Sequence, residues 1–167
     1  MLHLSMHGCQ DGIQLTSQRD QGAIIPWQAL GGMLHPLHNA LPGGLGVCMS
    51  CCGGIHGKAM AQTFDKNRVP FNWLVGSASD ADWRDLALAF AVFYRRYQAG
   101  LSGTKLIEAV KVASGINDFD IVHGPLTQQS YARESLLAAL KSMQKNQPSA
   151  PHSTGRPSVQ FWPLPTL

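Results

Sequence analysis

Leu45-Gly46-Val47-Cys48-Met49-Ser50, followed at once by Cys51-Cys52-Gly53-Gly54, is the stretch on which the fold turns. Six mostly apolar residues, set off upstream by the break Pro42-Gly43-Gly44, read as a strand with a cysteine and two glycines at its carboxyl end. Working outward, Leu2-His3-Leu4-Ser5-Met6 reads as an earlier strand that ends at His7-Gly8 and starts at residue 2. Residues 71–75, closed by Gly76, and residues 119–122, ended by His123-Gly124-Pro125, read as two later ones. Helical patterns separate the four. Strand and helix in alternation predict an α/β domain with a mostly parallel sheet of about four strands and helices on both faces. Reactive groups in such a sheet gather at the carboxyl ends of the strands, where His7 and Cys51 both fall.

The helices are read from spacing and punctuation. Asp11-Gly12 signals a turn, with residues 13–16 alternating as a short hairpin strand. Pro26 suits a first helical position, and Trp27, Leu30, Leu34 and Leu37 follow at helical steps; Pro36 predicts a kink or an end near His35. Residues 53–64 read as a loop leading into a short helix. Ser79, with Asp82 in the reciprocal capping position, is expected to open the longest helix, whose Trp83, Leu86, Phe90, Phe93, Tyr94 and Tyr97 form one stripe up to Gly100. Ser102 or Thr104 opens the next helix, ended by Gly115, and residues 131–145 form the last. One domain is expected over residues 1–146, with a Pro- and Ser-rich, poorly ordered tail at 147–167 that carries Phe161-Trp162.

Composition narrows the function classes. At 167 residues, 44% hydrophobic and 14% charged, the chain fits one globular domain with a single core. A formal charge of +3, with Arg95-Arg96 as the only basic pair of note, argues against a nucleic-acid partner. No apolar run is long enough to span a membrane and no basic segment resembling a signal peptide opens the chain. Cysteine usage (Cys9, Cys48 and the neighbours Cys51-Cys52) favours reduced thiols and a cytoplasmic location.

A cysteine and a histidine at neighbouring strand ends have the makings of a nucleophile and its base. A free thiol is only a few per cent ionised at neutral pH, and an imidazole within reach can take its proton. Glycine beside each group lets a substrate carbonyl approach backbone N–H donors closely. Two other uses of the same residues compete. Cys48, Cys51, Cys52 and His56, with Cys9 or His35 and His38, offer a zinc-like Cys-x-x-Cys spacing, although Cys48 falls inside the strand. Cys51-Cys52 offers a vicinal redox pair. Cys48 itself reads as a small buried residue. Arg68, Asn72 and Ser77 are candidates to line a substrate cleft.

With these residues in view, the chain resembles the caspase-like cysteine peptidases (clan CD), a family that includes caspases, metacaspases, separases and bacterial CHAT-domain proteins. Ser5-Met6-His7-Gly8 is similar to their His-Gly motif, and Met49-Ser50-Cys51-Cys52-Gly53 to their strand-end cysteine motif, in the same order. Phe93-Tyr94-Arg95-Arg96-Tyr97-Gln98-Ala99-Gly100, followed by a helix with Glu108-Ala109-Val110, looks most like CHAT and bacterial caspase-like domains. The resemblance covers about residues 2–124. It implies a three-layer α/β/α fold and endopeptidase activity without a cofactor. It implies His7 as general base and acid, Cys51 as nucleophile, and the backbone N–H groups of Gly8 and Cys51 as oxyanion donors. His123-Gly124 repeats the histidine motif, but in the family order the histidine precedes the cysteine, which selects His7. Met49 stands where some relatives carry Asp or Gln, so an acidic pocket for Arg or Lys substrates is not implied. Relatives also carry two further strands and a helix before the histidine strand. Their N-terminal part is expected to be missing here, which makes strand 2–6 an exposed edge open to a partner, an oligomer contact or a purely non-catalytic interaction role.

Overall fold

The computed structural model describes residues 1–15 and 23–145. Thr16 of the anticipated hairpin strand, and the tail with Phe161-Trp162, lie outside the described residues.

The main sheet has four strands: β1 (Leu2–Ser5), then β5 (Gly46–Ser50), β6 (Trp73–Gly76) and β7 (Asp120–His123), in that spatial order. Three short strands between β1 and β5 make a separate antiparallel sheet: β2 (His7–Gly8), β3 (Gly12–Gln14) and β4 (Ile24–Pro26). β1 pairs with β5 in parallel, placing Ser5 opposite Ser50, and β5 with β6 in parallel. β7 runs antiparallel to β6, with Trp73 opposite His123. The sheet is therefore mostly parallel, with one reversed strand at its edge.

Alternation along β5 and β6 feeds two cores. Val47, Met49 and Leu74 face a cluster with Trp27, Leu30 and Leu34 of α1 (Trp27–Ala40) and Ile55 and Met60 of a 3-10 helix (Gly54–Ala61). Cys48 and Val75 face the other cluster, built from α2 (Trp83–Gln98) and α3 (Gly103–Ser114), in which Phe90, Phe93, Leu106 and Val110 are buried. Successive strand residues point to opposite faces, and helices cover both. Burial of each large apolar side chain contributes on the order of 1.5–3 kcal/mol, so the two clusters dominate stability.

Three local expectations are corrected. Of the kink or end expected near His35, the end is overturned: α1 runs through Pro36 to Ala40. The Pro36 ring is exposed, and tertiary bonds hold the last turn: His35 Nε2 meets the carbonyl of Asn67 at 2.5 Å and His38 Nδ1 accepts from the Leu45 N–H at 3.0 Å. Asp82, not Ser79, caps α2, accepting from the Arg84 N–H at 2.8 Å; Ser79 lies three residues before the cap and turns to Asp118. α4 spans Gly124–Lys145, seven residues longer at its start than the pattern suggested. Pro125, read with His123-Gly124 as ending the strand, does follow the end of β7, and it sits in the first turn of α4, where its fixed φ and missing N–H cost nothing. Gln128 then anchors that turn by donating to the carbonyl of Thr63.

Candidate active site

Met6 alone separates β1 from β2, so the chain leaves the main sheet one residue before His7. His7 is the first residue of the hairpin, paired with Gln14, and not the last residue of the strand. The hairpin is pinned from below. Buried Trp27 donates its indole N–H to the Gln10 carbonyl at 2.8 Å and its backbone N–H to the Asp11 carbonyl at 3.3 Å. Cys51 is the first residue after β5. Ser5 and Ser50 are register partners, so His7 and Cys51 emerge at the carboxyl ends of adjacent parallel strands.

The two segments touch. A Cβ built on Gly8 would lie 2.7 Å from Cys51 Sγ and 2.6 Å from the Cys52 carbonyl oxygen, and one on Gly54 3.4 Å from the same sulfur. The Cys51 thiol is thus walled by two glycine backbones. Cys9 N–H donates to the Gly12 carbonyl at 2.9 Å, which closes the hairpin. The alternation of an antiparallel ladder then puts Gly8 in a non-hydrogen-bonded pair with Ile13, its N–H turned away from β3. Gly53 takes the left-handed conformation (φ +62°) that turns the chain from the cysteines into the 3-10 helix.

Cys51 is 2% exposed. Burial pushes its thiol up to about 12, with Cys52 and Cys9 nearby adding to the effect, so at neutral pH it is an uncharged S–H. Cys52 is half-buried, its Sγ 3.9 Å from the Ala81 carbonyl. None of the four cysteines is in a disulfide. His7, Cys51 and Cys52 line one cleft of about 930 Å³, whose far wall is α2 through Trp83, Ala87 and Tyr94.

The remaining candidates lie elsewhere. Asn72 precedes β6 and donates to the Gly43 carbonyl, at the opposite end of the sheet from Cys51. Arg68 belongs to a 3-10 turn (Lys66–Arg68) beside Asp65 and borders a cavity with His35. Neither borders the cleft. Ser77 is near the cysteine end but fully buried, donating to Asp118 Oδ1 at 2.8 Å, so it braces the loop after β6. His123 pairs with Trp73 at the start of β6, again at the far end. The zinc-type set does not converge: Cys48 faces the α2 cluster while Cys51 belongs to the α1 cluster. Among the described residues no three His, Cys, Asp or Glu side chains are placed to hold a metal ion.

One arrangement escaped the sequence reading. His3 Nδ1 lies 2.6 Å from Tyr94 Oη, and its ring packs edge-on against Phe90 at 4.9 Å. Beneath them buried Cys48, the register partner of His3, bonds to Tyr94. Burial raises both the Cys48 thiol, to about 11, and the Tyr94 phenol, and lowers His3. The signal was the period of two, which sets His3 and Ser5 on one face of the first strand.

No protein-family model matches the chain, and no curated protein does. No helix among the described residues is long and apolar enough to cross a membrane.

Proposed function

We propose that the protein is a caspase-like cysteine-type endopeptidase working through His7 and Cys51. One observation carries this: the Gly8 backbone lies against the Cys51 sulfur, in the cleft that His7 also lines. A neutral thiol requires that deprotonation accompany attack. As Cys51 Sγ bonds to the scissile carbonyl carbon, His7 takes its proton. The developing oxyanion receives N–H donors from Gly8 and Cys51. His7 then returns the proton to the departing amine as the C–N bond breaks, leaving a thioester on Cys51. Water, deprotonated by His7, hydrolyses the thioester and restores the thiol. No cofactor enters.

Cleavage of an unfolded protein substrate by the wild type, Cys51→Ala and His7→Ala tests the reading. Both variants are expected to fall to background, and a thioester adduct on Cys51 should be trapped at low pH by mass spectrometry. Undiminished cleavage by Cys51→Ala overturns it. A second reading, a non-catalytic interaction module, draws on the fact that among the described residues β1 pairs with β5 alone. It predicts no cleavage by any variant.

A further inference from the structure

The cleft at the dyad is one end of a longer groove. His3, Ser5 and His7 line it from one side, Trp83, Ala87 and Tyr94 from the other. Contacts at both ends show that the two walls run alongside each other: His3 meets Tyr94 at one end, and Cys52 meets Ala81 at the other. From Trp83 to Tyr94 the helix rises about 16 Å at 1.5 Å per residue, the length of about five residues of extended chain. Among the described residues, the side of β1 facing away from β5 has no strand partner in the sheet. A row of strand N–H and C=O groups is satisfied in full only by another strand.

We propose that an extended, apolar polypeptide segment of about five residues adds to the free edge of β1 as a further strand of the main sheet, with every second side chain directed against α2. This rests on the reading of the Cys51 end as the reaction centre, because the segment is delivered to it. Chemistry selects the occupant. Among the described residues the groove is lined by no Lys or Arg, and the one carboxylate there, Asp82, is committed to capping α2. Its helical wall is Trp83 (71% exposed), Ala87 and Ala91, with Leu86 and Phe90 at its floor. Charged side chains find no counter-ion there; apolar ones find cover. A second copy fits less well. Self-pairing of β1 involves only the four residues Leu2–Ser5, well short of the roughly 1,200 Å² that a stable interface buries.

Binding is read with the full chain carrying Cys51→Ala, which separates it from cleavage. The probe is a fluorescein-labelled, end-blocked five-residue peptide of alternating valine and threonine, followed by anisotropy. Two isomers N-methylated on odd or on even residues report which edge hydrogen-bonds. Saturable binding is expected, weakened about tenfold by one methylation pattern and little by the other. Ala87→Arg, at an exposed helical site that tolerates the change, should weaken it similarly; Ala91→Arg serves if the first variant misfolds. No saturable binding, equal binding of both methylated isomers, or no effect of either arginine overturns the proposal. So does a dimer that Ser5→Pro abolishes, which would make a second copy the occupant. Absent binding with retained wild-type cleavage leaves the dyad standing; binding without cleavage removes the dyad alone.

Discussion

A methyl group on Gly8 would stand 2.7 Å from the Cys51 sulfur and 2.6 Å from a backbone oxygen that cannot swing aside. Gly8→Ala is therefore expected to lower stability by about 1–3 kcal/mol, as overpacking does, and to abolish cleavage at temperatures where the variant is folded. Urea titration and peptide hydrolysis read the two effects separately. Cys51 carries a second prediction. Its folded pKa, raised by burial from 9.0 to about 12, means that the folded state favours the protonated thiol. The stabilisation is fully present below about pH 9 and is lost as pH climbs toward 12. Cys51→Ala should flatten the fall of the urea midpoint over that alkaline range; an unchanged slope would contradict the burial assigned to this thiol. The sequence preferred Cys51 to its neighbours from its place just after a strand and from the resemblance of its motif. That it is more enclosed than Cys52 was not legible, because adjacent residues in a turn differ in exposure by how the chain bends, which spacing does not encode.

Adjacent glycines in α1 make opposite demands. A Cβ on Gly32 meets nothing within 4 Å, while one on Gly31 comes 3.0 Å from Met60 Cβ. Gly32→Ala should gain about 0.5–1 kcal/mol from helix propensity; Gly31→Ala should gain nothing or lose stability by separating α1 from the 3-10 helix. Thermal melts distinguish them. At the loop after β6, burial acts to raise the Asp118 carboxyl, but hydrogen bonds from Ser79, Ser77 and the backbone of Ser79 and Ala78 prevail and hold it below the ordinary range. That contribution is present above the usual carboxylate pKa and lost as pH falls through the lowered one. Ser77→Ala should cost about 1–3 kcal/mol near neutrality, and the cost should shrink in acid; a constant cost would show that the charge is not involved. The elements themselves were largely legible, since strands 45–50 and 71–75 and the stripe from Trp83 to Tyr97 carry strong periodic signals, although Trp83 at its start is 71% exposed. Pro36 misled because proline states what its own backbone cannot do, while distant bonds from His35 and His38 hold the turn that continues past it.

Across the molecule, cohesion is uneven. β5 and β6 lie between two cores, whereas α4 beyond Tyr131 leaves Leu136, Leu137, Leu140 and Met143 exposed. Hydrogen exchange should be slowest at Val47, Cys48, Leu74 and Val75 and faster by orders of magnitude in residues 132–145. The parallel core of the sheet was readable from strand–helix alternation; the reversed β7 was not, because alternation counts crossovers without fixing direction. Nor did the sequence disclose that the first strand divides. Ser5 and Ser50 belong to the main sheet, with Cys51 directly after it, and His7 belongs to the hairpin, with Met6 as the joint between two hydrogen-bonded ladders. Alignment of the pair and integrity of the fold are consequently separate mechanical quantities. On the proposed mechanism, a hairpin substitution that turns the His7 imidazole and spares the Gly8 contact is expected to silence cleavage while every rung of the main sheet stays closed and the melting curve is unchanged.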